Sequence, residues 1–145
     1  MNRYVTGFLL SLILLLSGCA SVPMASIDAD KSAKTFTPPG DGSANLYIYR
    51  NESLGAAIKL PLLLDGVAIG DTAAHTYVLK QVQPGKHVLM SKGEKDSTLD
   101  LEVIAGSNYF VWQEVKMGVM AARSQLNLVS EATGKKAVGE CKLIK

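Results

Sequence analysis

Leu99, Leu101 and Val103 alternate with Thr98, Asp100 and Glu102. A period of two sends successive side chains to opposite faces, so this stretch reads as a strand with one dry and one wet side. Leu46 to Arg50 and Thr76 to Val82 read likewise, and Tyr109 to Val115 is rich in aromatic and β-branched residues. Turn chemistry separates these runs. Asp65-Gly66 stands between Leu62-Leu63-Leu64 and Val67-Ala68-Ile69, the two-residue hairpin signal whose turn takes positive φ. Gln83-Pro84-Gly85-Lys86 fits a type II turn, and Ala105-Gly106-Ser107-Asn108 supplies a third. Short strands at this spacing predict an all-β fold, a small antiparallel β-sandwich, with a barrel of similar strand count as the alternative.

The last 16 residues change period. Ala137, Val138, Cys141 and Ile144 share one face of a helix, Ser130 before Glu131 suits its N-cap, and Lys142 and Lys145 suit its C-terminal dipole. Gly134 and Gly139 count against it, each costing about 1 kcal/mol relative to alanine. The expectation is a short C-terminal helix packed on the sheet, with Cys141 as a buried free thiol on its inner face.

The N-terminus points to a compartment. Arg3 precedes an apolar run from Phe8 to Leu16, interrupted only by Ser11. That run is too short for a membrane span, which needs about 20 apolar residues, and reads as a secretory signal. It ends in Leu16-Ser17-Gly18-Cys19, which resembles the bacterial lipobox. A cysteine thiol there would receive a diacylglycerol thioether, and small residues before it let a peptidase reach the Gly18–Cys19 bond. The anchor implied carries three acyl chains, enough for stable attachment where one is marginal. Alanine rather than aspartate at position 20 favours the outer membrane, by resemblance to the sorting rule of enteric bacteria.

Residues 1–18 are thus expected to be a lipoprotein signal peptide and 19–44 a lipidated flexible tether. The latter holds Pro23, Pro38, Pro39, Gly40 and Gly42 with few large apolar residues. The sandwich is expected over 45–145. Its length suits a single domain. A net charge of +2 from 15 basic and 13 acidic residues is too balanced for a nucleic-acid binder, and two cysteines cannot build a disulfide framework.

Several stretches carry a resemblance: Leu46-Tyr47-Ile48-Tyr49-Arg50, the Leu64 to Gly70 hairpin, Val82 to Leu89 around Pro84-Gly85-Lys86-His87, and the step from Leu101 to Val111. Together with the lipobox, they resemble a bacterial lipoprotein family defined by a domain of unknown function (2846), and more distantly PEGA modules. The resemblance implies a transthyretin- or immunoglobulin-like sandwich and brings no catalytic residues with it.

The residues themselves supply little chemistry. His75 and His87 are the only histidines, lie near different strands, and lack the further ligands of a zinc site. Gly134-Lys135-Lys136 lacks the earlier glycine and the following Ser or Thr of a phosphate loop. Ser91, Ser97 and Ser107 sit near turns, Asp65, Asp71, Asp96 and Asp100 read as turn and strand-surface residues, and the Asn51-Glu52-Ser53 sequon is read as chance. Tyr47, Tyr49, Tyr77, Tyr109, Phe110 and Trp112 fall on strands and are assigned to packing rather than a binding platform. No catalytic residue, metal or cofactor is expected. The expected function is a lipid-anchored, non-enzymatic protein-interaction or structural module of the envelope, with another envelope protein as partner. The alternative is a periplasmic inhibitor or glycan-binding accessory of a cell-wall enzyme.

Overall fold

The computed structural model describes residues 18–40 and 42–145; the apolar N-terminal run, with Leu16 and Ser17, lies outside the described residues. Among the described residues nine strands form two sheets: β1 (Ala44–Arg50), β2 (Leu60–Leu64), β3 (Val67–Thr72), β4 (Thr76–Val82), β5 (Gly85–Ser91), β6 (Ser97–Val103), β7 (Asn108–Lys116), β8 (Arg123–Val129) and β9 (Lys142–Leu143). The helices α1 (Ile27–Ala33) and α2 (Glu131–Gly139) accompany them. One sheet has the order β8-β7-β1-β4-β9 and the other β3-β2-β5-β6, so the strands make a sandwich and not a barrel.

The four-stranded sheet is antiparallel throughout, but the five-stranded sheet is mixed. β1 runs parallel to β7, with Leu46 beside Tyr109 and Ile48 beside Val111, and β4 runs parallel to β9. Alternation records which face a side chain occupies and says nothing of strand direction. The chain leaves β1, builds β2 and β3, crosses through β4 and completes β5 and β6 before β7, which gives it the long crossover that a parallel pair requires.

Both faces of the five-stranded sheet are covered. Leu46, Ile48, Val78 and Val111 point between the sheets and meet Leu62, Leu89, Leu101 and Val103. Tyr47, Tyr49, Tyr77 and Phe110 point the other way, against Ala33, Ala137, Val138 and Cys141. The stacked Tyr47 and Phe110 rings, 4.9 Å apart, anchor this second core.

Asp65 and Gly66 both have positive φ, 52° and 81°, as the tight β2–β3 hairpin demands. Pro84-Gly85 does a different job from a hairpin turn. β4 and β5 belong to different sheets, so this connection is a corner of the sandwich, and residues 104–107 form another at the same end.

Two further expectations are corrected. The segment read as a flexible tether is packed along the sandwich. Ser26 caps α1 by accepting from the Ala29 amide, Val22 and Ala33 are buried, and Met24 bridges to Ile144. Its few apolar side chains suffice because the sheet already offers a formed apolar surface to receive them.

The C-terminal helix is capped by Ser130 as expected but ends at Gly139. Cys141 and Ile144 are buried from the extended segment beyond it and not from a helical face. Gly134 is a packing requirement: a Cβ there would lie 2.2 Å from Phe110 Cβ.

Candidate functional site

The chain passes back and forth through the two sheets, so the loops sort into two poles. Residues 51–59, 73–75, 92–96 and 117–122 open at one pole; the Asp65-Gly66 turn and the two corners lie at the other. The first pole is where the described chain begins. Gly18 and Cys19 are exposed, and the next residue is already fixed, Ala20 N donating to Ala56 O at 2.8 Å.

Arg50, at the end of β1, organises the long loop beside it. Its side chain is fully buried and donates to Ile58 O at 3.1 Å, Leu54 O at 3.0 Å and Gly55 O at 2.5 Å. Burial lowers its pKa, with Glu52 opposing that shift, but a guanidinium stays charged, so these carbonyl dipoles are what stabilise it. Glu52 in turn accepts from Trp112 Nε1 at 3.2 Å and from the Val115 amide.

A carboxylate organises the β7–β8 loop in the same manner. Glu94 Oε2 accepts from Val119 N at 2.8 Å and lies 3.4 Å from both Met120 N and Ala121 N, while its Oε1 accepts from Arg123 at 3.1 Å. The Arg123 hydrogen bond is the main reason its pKa is lowered. A Cβ at Gly118 would collide with both Ala121 O and Glu94 Oε2, so the loop closes tightly on its own backbone and on this side chain. The apolar side chains have no such partner: Met117, Val119 and Met120 are 79%, 83% and 90% exposed, and Leu54 on the neighbouring loop is 50% exposed.

Between the sheets near this pole lies a polar chain. Gln113 accepts from Thr72 and donates to Ser91 Oγ at 2.6 Å, which also accepts from Ser124 at 2.6 Å. All four residues are buried, so Ser91 is sealed from solvent and acts as a cross-sheet link.

The histidines are kept apart. His75 lies in the β3–β4 connection, within 2.9 Å of Ser53 Oγ. His87 lies at the opposite pole, with Nδ1 2.6 Å from Asp65 Oδ2 and Nε2 2.7 Å from Gln83 O. Two acceptors on one ring favour the doubly protonated imidazolium. The hydrogen bond to Asp65 is the leading cause of its raised pKa and of the lowered pKa of Asp65. Among the described residues, no three His, Cys, Asp or Glu side chains converge on a metal position, and no helix is long and apolar enough to cross a membrane. Lys135 of the Gly-Lys-Lys stretch lies on α2 and pairs with Glu131 at 2.6 Å.

Of the residues singled out in sequence, Gly18 and Cys19 sit at the first pole and Asp65, Gly66, Pro84 and Gly85 at the second. The aromatic residues divide as packing predicts, with Tyr47, Tyr49, Tyr77 and Phe110 buried. Sequence reasoning missed the parts that shape the first pole: Arg50, Glu94 and residues 117–122. The available signal was Met117-Gly118-Val119-Met120-Ala121-Ala122, an uncharged and largely apolar run between two amphiphilic strands.

The architecture defines a single-domain β-sandwich, backed by helices on one sheet and clasped by its own N-terminal segment. The chain belongs to the family described as Protein of unknown function (DUF2846), whose match covers residues 40–125. It is also similar to an uncharacterized protein of Haemophilus influenzae, 38% identical over 138 residues that span 94% of this chain and 82% of the relative. No solved structure matches it.

Proposed function

We propose that this protein is a lipid-anchored envelope module, held at the outer membrane through an acylated Cys19, facing the periplasm and acting by non-enzymatic interaction or as a structural element. One observation carries the reading. The Leu16-Ser17-Gly18-Cys19 motif ends on an exposed cysteine, and the folded contacts begin at the very next residue. The acceptor thiol is therefore free for modification while the segment from Ala20 to Ala33 is packed on the domain. An acyl anchor at this point holds the sandwich close to the bilayer, without the reach that a flexible tether would provide.

The mature N-terminal peptide tests this reading by mass. It should begin at Cys19 and carry the diacylglycerol and a further acyl chain. Cys19→Ala should release the protein to the soluble fraction or leave it uncleaved. A mature N-terminal peptide that carries an unmodified Cys19 would overturn the assignment.

A further inference from the structure

We infer that the loop-bearing pole is a second membrane contact, with Met117, Val119 and Met120 entering the lipid interface beside the acyl anchor. The inference rests on the lipid-anchor reading and extends it from a point of attachment to an orientation. Chain topology places the exposed Cys19 and the 117–122 loop at the same end of the sandwich. Cys19 adjoins the loop 51–59 through the Ala20–Ala56 hydrogen bond, and Ile58 and Lys59 of that loop line a shallow cleft with Ala121 and Ala122. The exposed Leu54 belongs to this connecting loop. Anchor, Leu54 and the β7–β8 loop therefore mark out one end surface.

The loop is built to present apolar side chains outward. Glu94 satisfies backbone donors at its turn, and Gly118 permits the close approach. Ordering the backbone in advance lowers the entropy cost of burying the three side chains in another phase. Met117, Val119 and Met120 are next to one another in sequence and far more exposed than a water-soluble surface requires, which distinguishes them from scattered single apolar residues.

The charges at this pole are close to balanced. Glu94 is paired with Arg123, Asp96 with Lys92 and Glu114 with Lys116; Glu52 and Glu140 accept from Trp112 and Asn51, and Lys59 and Lys95, with no carboxylate partner among the described residues, are left to meet headgroup phosphate. Long lysine stems let apolar neighbours sink while their ammonium groups stay with phosphate. A single flexible attachment would leave the sandwich free to tumble. A second contact at the opposite side of the same pole fixes it upright, with the Asp65-Gly66 turn and the two corners pointing away from the membrane.

Photo-crosslinking of the full chain in native envelopes tests the seating. A diazirine-bearing residue replaces Met120 in one sample and Ile104, exposed at the far pole, in another. The expected result is a phospholipid adduct at position 120, several-fold above that at 104, and its loss when Met117→Ser and Val119→Ser are added. An unchanged melting temperature in those two serine variants would show that the fold is intact. A protein adduct at 120 would overturn membrane seating and give the loop to a protein partner, such as the enzyme of the inhibitor alternative. Equal, low lipid adducts at 120 and 104 would overturn it as well. The mass of the Cys19 peptide, read from the same sample, separates the two ideas. An acylated chain with no adduct at 120 removes the seating alone, whereas an unmodified Cys19 removes the anchor reading and this inference with it.

Discussion

The Tyr77 hydroxyl donates to Asp30 Oδ1 at 2.9 Å, joining the N-terminal segment to β4 of the five-stranded sheet. The same oxygen accepts from Leu143 N at 3.0 Å, and Oδ2 pairs with Lys34 at 2.8 Å. Lys34 also donates to Cys141 O at 2.6 Å. One carboxylate thus ties α1, β4 and β9 together. Partial burial raises the pKa of Asp30, but hydrogen bonds from Lys34, Tyr77 and Leu143 outweigh it and the net effect is lowering.

Asp30→Ala should therefore destabilise the domain by about 2 kcal/mol, since charge-assisted hydrogen bonds are lost and the Tyr77 hydroxyl is left without its partner. Because its folded pKa is lowered, the contribution of Asp30 is present above its unfolded value of 3.8 and fades as pH falls through the folded value. Urea melts of the two chains should differ at neutral pH and converge in acid. Equal midpoints at neutral pH would mean that the segment is not held by this carboxylate.

The two helical glycines of α2 should respond in opposite ways. Gly134→Ala pushes a methyl into Phe110 and should cost about 2 kcal/mol despite the better helix propensity of alanine. Gly139→Ala meets nothing within 4 Å and should be neutral or stabilise by up to about 0.5 kcal/mol. Thermal melts of both variants decide it, and a stabilising Gly134→Ala would contradict the contact with Phe110.

His87 should make stability depend on pH. Its folded pKa is raised, so its contribution is complete below the unfolded value of 6.5 and disappears as pH climbs through the folded value. Asp65, shifted down, contributes above its unfolded value of 3.8. The pair is at full strength between those two unfolded values. His87→Gln should flatten the decline in melting temperature that begins as pH rises past about 6.5, by an amount equivalent to roughly 0.5 kcal/mol, because Asp65 is half exposed. High salt should shrink the effect. An unaltered pH profile in the variant would assign the dependence elsewhere.

Cys141 should label slowly in the native state. Its thiol is 1% exposed, lies 3.6 Å from Arg50 O, and burial pushes its pKa up to about 12. Peptide mapping after brief treatment with a thiol reagent should find Cys141 unmodified until denaturant is added. Cys141→Ala should cost on the order of 1–2 kcal/mol without changing oligomeric state. Fast native modification of Cys141 would place that sulfur at the surface.

Much of this architecture was legible as local chemistry. Leu99, Leu101 and Val103 declare a strand face, Asp65-Gly66 declares a hairpin, and Ser130 declares a cap. Each is decided by residues within a few positions, and the structure retains all three. The burial of Tyr47, Tyr49, Tyr77, Phe110 and Cys141 followed from their apolar bulk and their place on alternating strands or near a packed terminus.

What could not be read depended on surfaces assembled from distant segments. Residues 20–40 hold too little apolar material to order themselves, and they fold only because the assembled sheets give Val22 a place in the core between them and give Ala33 and Asp30 partners on the outer face of the five-stranded sheet. Helical spacing ran on through Cys141 and Ile144, yet the chain turns extended after Gly139 because the edge of β4 offers Lys142 and Ile144 backbone acceptors at His75 and Tyr77. Gly134 looked like a weakness until Phe110 stood opposite it, and nothing in the sequence marked residues 117–122 until Glu94, from the other sheet, shaped them into an exposed loop. Alternation and turn propensity are short-range energies written into neighbouring residues. Strand direction, strap docking and the form of the loop-bearing pole arise from contacts between residues up to 122 positions apart, and those contacts exist only once the sheets have met.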